Sequence, residues 1–344
     1  MLQNRPLLSI CIPSYNRPFQ LSKLLESIDC VNFNELEIII CEDKSPQREE
    51  IINIYKKFSS NSKYSCKLFL NEINLGYDEN LKELIKKSNG LYIMYMGDDD
   101  IFQSGSLDEY LIFLKLNTSL AYILRRYSIV HFNGEKEDFK YYKNHTYFEP
   151  GIFAFKALFR KSVFISGFCF KKDYVLNFYD TDKFKGTLLY QLFLCAKLVL
   201  SYPSAYCDIP ITIMNESERG IPEFGNSINE SQKYTPGKIS IQNSINFLKS
   251  FLIITKHIDD EFGLNCSNLF IKDLSKYSYP VLSIQRDNGV LDFLDYNKKL
   301  IIDIKIHKTF YYYIYFISLL FLGTKRCDWF IINLKKILGK TPSL

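Results

Sequence analysis

Apolar residues in the first hundred positions fall in short runs, and each run is closed by a turn or a polar cluster. Residues 7–12 are apolar and stop at Pro13, the pattern of a strand buried on both faces. Residues 20–28 instead space Leu21, Leu24, Leu25 and Ile28 along one helical face. Residues 36–41 predict a second buried strand, 51–58 a helix and 67–70 a third strand. Beyond the turn residues Asn74-Leu75-Gly76, a helix is predicted over 79–88, ended by Asn89-Gly90. A fourth strand over 91–96 runs straight into Gly97-Asp98-Asp99-Asp100. The order βαβαβαβ predicts an α/β fold: a mostly parallel sheet with helices on both faces. Ligands in such sheets bind outside the carboxyl ends of the strands. Three of those ends, at 14–17, 42–45 and 97–100, carry polar or charged clusters, which predicts a site on that rim.

After residue 101 the periodicity loosens. A helix is predicted over 106–116, a strand over 121–132, a polar, aromatic-laced loop over 133–150 and a strand over 164–170. An apolar helix over 188–200 and a strand with a polar turn over 210–218 follow, and from about 235 the signals are mainly helical. The expected division is a first domain over 1–234, with halves 1–105 and 106–234, and a helical region over 235–344.

Composition narrows the classes. With 47% hydrophobic and 24% charged residues the 344-residue chain reads as globular, and a net charge of +5 is too mild to imply a nucleic-acid partner. The nine cysteines form no C-x-x-C pair, and several sit inside apolar runs. Free buried thiols in a reducing compartment are expected, rather than disulfides or a zinc site. The first fifteen residues lack the apolar core of a signal peptide, so the expected location is cytoplasmic.

Asp98-Asp99-Asp100 is the sharpest chemical signal. Three adjacent carboxylates repel one another; a divalent cation taking one or two of them plus substrate phosphates resolves the repulsion. A solvated acidic turn before a helix N-cap at Ser104 or Ser106 is the competing reading. The segments SICIPSYNRP (9–18), IIICEDKS (38–45), NLGYDEN (74–80) and YMGDDD (95–100) together resemble glycosyltransferase family 2, with the GT-A fold, over roughly residues 6–105. The Gly-Asp-Asp-Asp variant is similar to the branch with abequosyltransferase-like O-antigen and capsule enzymes.

The resemblance implies roles. Pro13, Ser14, Tyr15 and Arg17 would line the nucleotide pocket, with Gly76 and Asn80 in the loop before the third helix. Asp43 would offer a carboxylate to the base; such a group can accept the N3–H of uracil. Asp99 would bind Mn²⁺ or Mg²⁺, with Asp98 and Asp100 beside it. Gly97 stands where the family pattern Asp-x-Asp-Asp has its first Asp, so either Asp98 substitutes for it or Asp99 is the direct ligand alone. The implied activity is metal-dependent, inverting transfer of a hexosyl or deoxyhexosyl group from a nucleotide-diphosphate sugar to a saccharide, polyprenyl-linked in surface-polysaccharide synthesis. The family's base precedes a helix, but Gly186-Thr187 occupies that position here, leaving Asp182, with Asp180, as candidates against ordinary loop carboxylates. The four histidines read as structural or surface residues. The Tyr-rich stretch 140–148 would cover an acceptor sugar or simply pack the loop.

Charge is uneven along the chain. Residues 296–344 hold nine Lys/Arg against two acids, a net of +7, leaving −2 for the rest. Within them 310–322 is apolar or aromatic except for Ser318, shorter than the roughly 20 residues that span a bilayer. An interfacial helix on an anionic membrane surface and a core helix of the second domain both fit. Two further functions stay open: a nucleotidyltransferase, though 13–17 is not its Gly-rich basic loop, and a non-catalytic GT-A-like scaffold module.

Overall fold

A computed structural model describes residues 5–216 and 224–338, with side chains through residue 334. Glu218 and Lys340 lie outside the described residues, as do the side chains of Lys335 and Lys336. The chain divides into two compact units, 1–237 and 238–344.

In the first unit β1 (Leu8–Ser14) pairs in parallel with β2 (Leu36–Glu42) and β4 (Tyr92–Tyr95), and β2 pairs in parallel with β3 (Ser65–Leu70). The register sets Ser14 opposite Glu42, so the chain leaves β1 and β2 side by side on one rim. Helix α1 (Pro18–Glu26) starts with Pro18, whose fixed φ and missing N–H suit a first turn, and it buries Leu21, Leu24 and Leu25. Each such side chain stabilises by about 1.5–3 kcal/mol relative to exposure. Helix α2 is Arg48–Asn61. Helix α3 (Tyr77–Lys87) has Asp78 and Glu79 in its first turn and Lys86 and Lys87 in its last, complementing the macrodipole.

The sheet continues β3-β2-β1-β4-β9-β6-β10-β5. Here β5 is Asp100–Phe102, β6 Tyr122–Val130, β9 Phe168–Lys171 and β10 Ser204–Asn215. Between them stand α4 (Ser106–Leu116), α5 (Ile152–Leu158) and α6 (Tyr190–Ser201). This second half departs from the sequence reading in three places. The 133–150 loop contains β7 (Lys136–Phe139) and β8 (Thr146–Phe148), short strands added antiparallel to β6 and β10. The strand expected over 164–170 begins only at Phe168 and runs antiparallel to both β4 and β6. The last strand begins at Ser204, six residues before the Pro210 expected to open it. A register shift around Pro210 lets the strand continue past a residue that cannot donate to the ladder.

The second unit is helical: α7 (Ile241–Phe262), α8 (Cys266–Lys276), α9 (Tyr279–Ser283), α10 (Val290–Lys299) and α11 (Phe310–Leu338). Ser240 caps α7 by accepting from the Asn243 N–H, and Gly263 ends it in the left-handed region. Helix α11 is longer than the apolar run and is interrupted at Gly323 (φ 73°, ψ 173°). Carbonyls released by the interruption are taken by Arg286, whose Nε donates to Leu319 O at 2.8 Å. One face of α11 buries Tyr312, Leu319 and Cys327, while Phe310, Ile317, Phe321 and Trp329 remain exposed. Among the described residues no helix is long and apolar enough to cross a membrane. All nine cysteines are free; eight are buried and Cys66 is half-buried.

Candidate active site

Two networks meet on the rim formed by the ends of β2, β1 and β4. The first is built on Asp43. Its Oδ1 accepts from the side-chain amide of Asn71 and from the Leu75 N–H, both at 2.8 Å, and its Oδ2 accepts from the Gly76 N–H at 2.8 Å. Asn71 also donates to Asn80 Oδ1 at 3.0 Å, and Asn80 donates to Cys41 O at 3.1 Å. The carboxylate therefore shapes the 71–76 loop and ties it to the end of β2. Burial raises the Asp43 pKa, against the pull of those N–H donors. Three of about four lone-pair positions are used, which leaves room for one external donor. Neighbouring Glu42 is turned inward instead, accepting from the Lys44 and Ser45 N–H groups and from Arg48.

Gly76 lies at φ +83°, and a Cβ there would come within 2.3 Å of Ser227 Oγ and 2.8 Å of Glu230 Oε1. Those contacts reveal residues that the sequence did not point to. Glu230 accepts from the Tyr77 N–H at 2.7 Å and from the Gly225 N–H at 2.7 Å, and Asn229 donates to Leu75 O at 2.8 Å. Residues 225–230 thus close over the loop before α3. Their partners lie about 150 positions away in sequence, where no spacing rule reaches.

The second network joins the end of β1 to the acidic turn. Asp98 and Asp99 lie between β4 and β5, and Asp100 is itself the first residue of β5. Asp98 accepts from the Tyr15 N–H at 3.1 Å and from Arg17 Nη1 at 3.1 Å; the same Arg17 nitrogen lies 3.0 Å from Asp99 Oδ2. Burial pushes the Asp98 carboxyl up, Arg17 pulls it down and Asp99 raises it further. Asp100 is buried and accepts from Ser166 Oγ, which in turn accepts from the Gly97 N–H at 3.0 Å. A Cβ at Gly97 would lie 3.0 Å from Ser166 Oγ and 3.2 Å from Asp99 Oδ1, a steric reason for glycine where the family pattern has Asp. Behind Ser166 sits Arg125, fully buried, with Nε donating to Ser166 O at 2.8 Å and Nη2 to Phe164 O at 2.7 Å. Its guanidinium lies against the rings of Tyr127 and Phe164. Nothing in the sequence marked Ser166 or Arg125.

Pro13 and Ser14 end β1 on this rim, with Ser14 fully buried. The hard carboxylate oxygens of Asp98 and Asp99, already shared by one cation in the form of Arg17, fit Mn²⁺ or Mg²⁺ completed by phosphate oxygens. Among the described residues no group of three or more His, Cys, Asp or Glu side chains forms a self-sufficient metal site.

Asp180 and Asp182 belong to a separate, exposed cluster. Their side chains are 80% and 78% exposed, and Lys82 Nζ reaches them at 4.0 and 3.4 Å while holding Glu79 at 2.7 Å. Lys185 pairs with Asp182 at 2.8 Å. Lys185, then Lys82, lowers the Asp182 pKa. At the start of α6, where the family's base is expected, the carboxylate comes from α3: Asp78 accepts from the Thr187, Leu188 and Tyr190 N–H groups at 2.7–2.9 Å. Burial lifts its pKa to about 6 despite those donors.

Residues 9–171 match the model of glycosyl transferase family 2. The chain is 34% identical over 104 residues to abequosyltransferase RfbV of Salmonella typhimurium, covering 29% of this chain and 30% of that one. It is 29% identical over 120 residues to the GalNAc(5)-diNAcBac-PP-undecaprenol beta-1,3-glucosyltransferase of Campylobacter jejuni, covering 34% and 37%. The match thus spans about a third of each of these relatives. Among solved structures, Staphylococcus aureus TarS 1-349 in complex with UDP-GlcNAc superposes with a TM-score of 0.50 at 15% identity, over 90% of each chain. At that identity the likeness speaks for the fold alone, the GT-A fold that the family resemblance implied.

Proposed function

Residues 9–171 form a glycosyl transferase family 2 domain, and from that premise we propose that the protein transfers a sugar from a nucleotide-diphosphate donor to a lipid-linked saccharide during bacterial surface-polysaccharide synthesis. The observation that carries this reading is the placement of Asp43 and of the Asp98–Asp99 pair at the ends of β2 and β4, the two strands that flank β1, on one rim. That is the arrangement needed to hold a base at one end and a diphosphate at the other. The acceptor class rests on the relatives, one of them named for an undecaprenol-linked substrate.

In this reading the free lone pair of Asp43 accepts an N–H of the base, and Gly76 keeps the adjacent backbone close enough to enclose the nucleoside. Asp99, with Asp98, holds Mn²⁺ or Mg²⁺; when bound, the ion offsets charge on the departing diphosphate and orients it. Asp100 keeps the turn in place through Ser166. Asp182, with Asp180 beside it, takes the proton of the attacking hydroxyl in an inverting displacement. Asp182 is paired with Lys82 and Lys185, which lower its pKa, so it is ionised at neutral pH and would take up the proton only as the hydroxyl attacks. For location, we propose the cytoplasmic membrane surface. The exposed apolar face of α11 is accompanied by exposed Lys325 and Arg326, which fits an anionic leaflet.

Titration calorimetry with UDP, CDP and GDP, each with and without Mn²⁺, tests the donor assignment. One nucleotide is expected to bind at least ten-fold more tightly with Mn²⁺, and Asp99→Ala is expected to remove that gain. Equal binding with and without Mn²⁺ for all three nucleotides sinks the metal-dependent reading. Metal-dependent binding without sugar transfer to any lipid-linked acceptor would instead favour the scaffold module.

A further inference from the structure

Asp98 and Asp99 are adjacent carboxylates with side chains only 6% and 12% exposed. Left alone, two such charges repel strongly, because little water screens them. Arg17 offsets this through Nη1, at 3.1 Å from Asp98 Oδ1 and 3.0 Å from Asp99 Oδ2. A divalent ion shared by those two oxygens would need the same place, at about 2.1 Å from each. Two cations cannot both occupy it, and arginine cannot leave by losing its proton, since a guanidinium stays protonated in proteins. Arg17 must therefore swing aside when a metal enters. The backbone gives it a mount for doing so. It follows Asn16, held at φ 59°, and precedes the Pro18 that opens α1, so it stands on the short connection between strand and helix rather than within either. The guanidinium fork also matches phosphate oxygens in a bidentate fashion.

We propose that Arg17 is the internal cation of the donor-free protein: it holds Asp98 and Asp99 until a nucleoside diphosphate arrives, then transfers to the diphosphate and yields the carboxylates to the metal. This rests on the reading of the rim as a nucleotide and metal site. It makes metal and nucleotide binding one cooperative event with Arg17 as the coupling residue, and linkage requires each ligand to tighten the other by the same factor.

The test is Mn²⁺ affinity of the full chain, followed by electron paramagnetic resonance with and without UDP, or whichever nucleotide calorimetry selects. Wild type, Arg17→Met and Arg17→Lys are compared. Wild type is expected to bind Mn²⁺ weakly alone and at least ten-fold more tightly with nucleotide. Arg17→Met should bind Mn²⁺ alone at least ten-fold more tightly than wild type, with the nucleotide's effect reduced below three-fold. Arg17→Lys, which keeps the charge but not the fork, should fall between; it carries the comparison if Arg17→Met fails to melt cooperatively. Unchanged or weaker Mn²⁺ binding by the nucleotide-free variants, in a protein whose wild type does bind Mn²⁺ with nucleotide, overturns the role of Arg17. Absence of Mn²⁺ binding by wild type even with nucleotide overturns the metal reading beneath it.

Discussion

The two carboxylate clusters of the first unit are held in opposite ways. Asp43 is buried and its oxygens are engaged by backbone N–H groups and by Asn71, so the group that would recognise the donor is also the group that folds the 71–76 loop. Asp182 stands 78% exposed on a loop, tied by two lysines whose attraction is screened by water and salt. If Asp43 recognises the donor as proposed, that recognition is preorganised and inseparable from stability. The groups proposed for the acceptor hydroxyl could change without cost to the fold. A domain built this way can keep one class of donor while its acceptor side diverges.

Asp43→Ala gives the largest expected break in that contrast. It removes the acceptor of the Leu75 N–H, at about 1–3 kcal/mol for a buried donor left unpaired, and one hydrogen bond each from the Gly76 N–H, which keeps Asn74 Oδ1, and the Asn71 amide, which keeps Asn80 Oδ1, at about 0.5–1.5 kcal/mol apiece. A total loss of about 3 kcal/mol is expected in urea melts, together with lost nucleotide binding. Asp182→Ala should leave the melting temperature unmoved and lower kcat by about 10²–10⁴. A stable Asp43→Ala, or an Asp182→Ala that unfolds early, would erase the difference between the clusters.

Gly76→Ala sharpens the same contrast from the side of residues 225–230. Two costs combine, a positive φ and a Cβ meeting Ser227 Oγ at 2.3 Å, and about 2–3 kcal/mol of destabilisation is expected. Adding Ser227→Gly removes the closest contact but neither the one with Glu230 Oε1 at 2.8 Å nor the φ strain, so only part of the loss should return in thermal melts. Full recovery would show that backbone strain and the Glu230 contact are both negligible; no recovery would show that Ser227 does not press on this loop.

These networks also mark how far the sequence could be read. The first half was legible because three of the four strands of the βα repeat end in their own polar or charged cluster, so local periodicity placed Ser14, Asp43 and Asp98 on one rim. Glu230 was not legible: it meets Tyr77 across 153 positions, and its segment has neither helical nor strand periodicity. Ser166 and Arg125 escaped for a related reason. They reach the acidic turn through β9 and β6, strands whose antiparallel pairing with β4 and with each other is set by packing rather than by any local signal. The helix before which a catalytic base was expected begins on Asp78, a carboxylate from another helix.

The smallest effect separates the clusters by pH. His131, at the end of the β6–β7 hairpin, lies 3.1 Å from Glu216 and 3.2 Å from Glu137. Partial burial pulls the imidazole pKa down, but the two carboxylates outweigh it and leave it raised above 6.5. A histidine whose pKa is higher folded than unfolded stabilises fully below the unfolded value, and that contribution fades as pH rises through the folded value. The hairpin tie should therefore be strongest near pH 5.5 and absent by pH 8.5. Because the pair is only part-buried, the loss should be small, about 1–2 °C in melting temperature. His131→Gln should remove this component of the pH dependence while leaving nucleotide affinity unchanged, since neither carboxylate partner belongs to the donor rim. If the variant shows the wild-type difference between pH 5.5 and 8.5, the titrating group lies elsewhere.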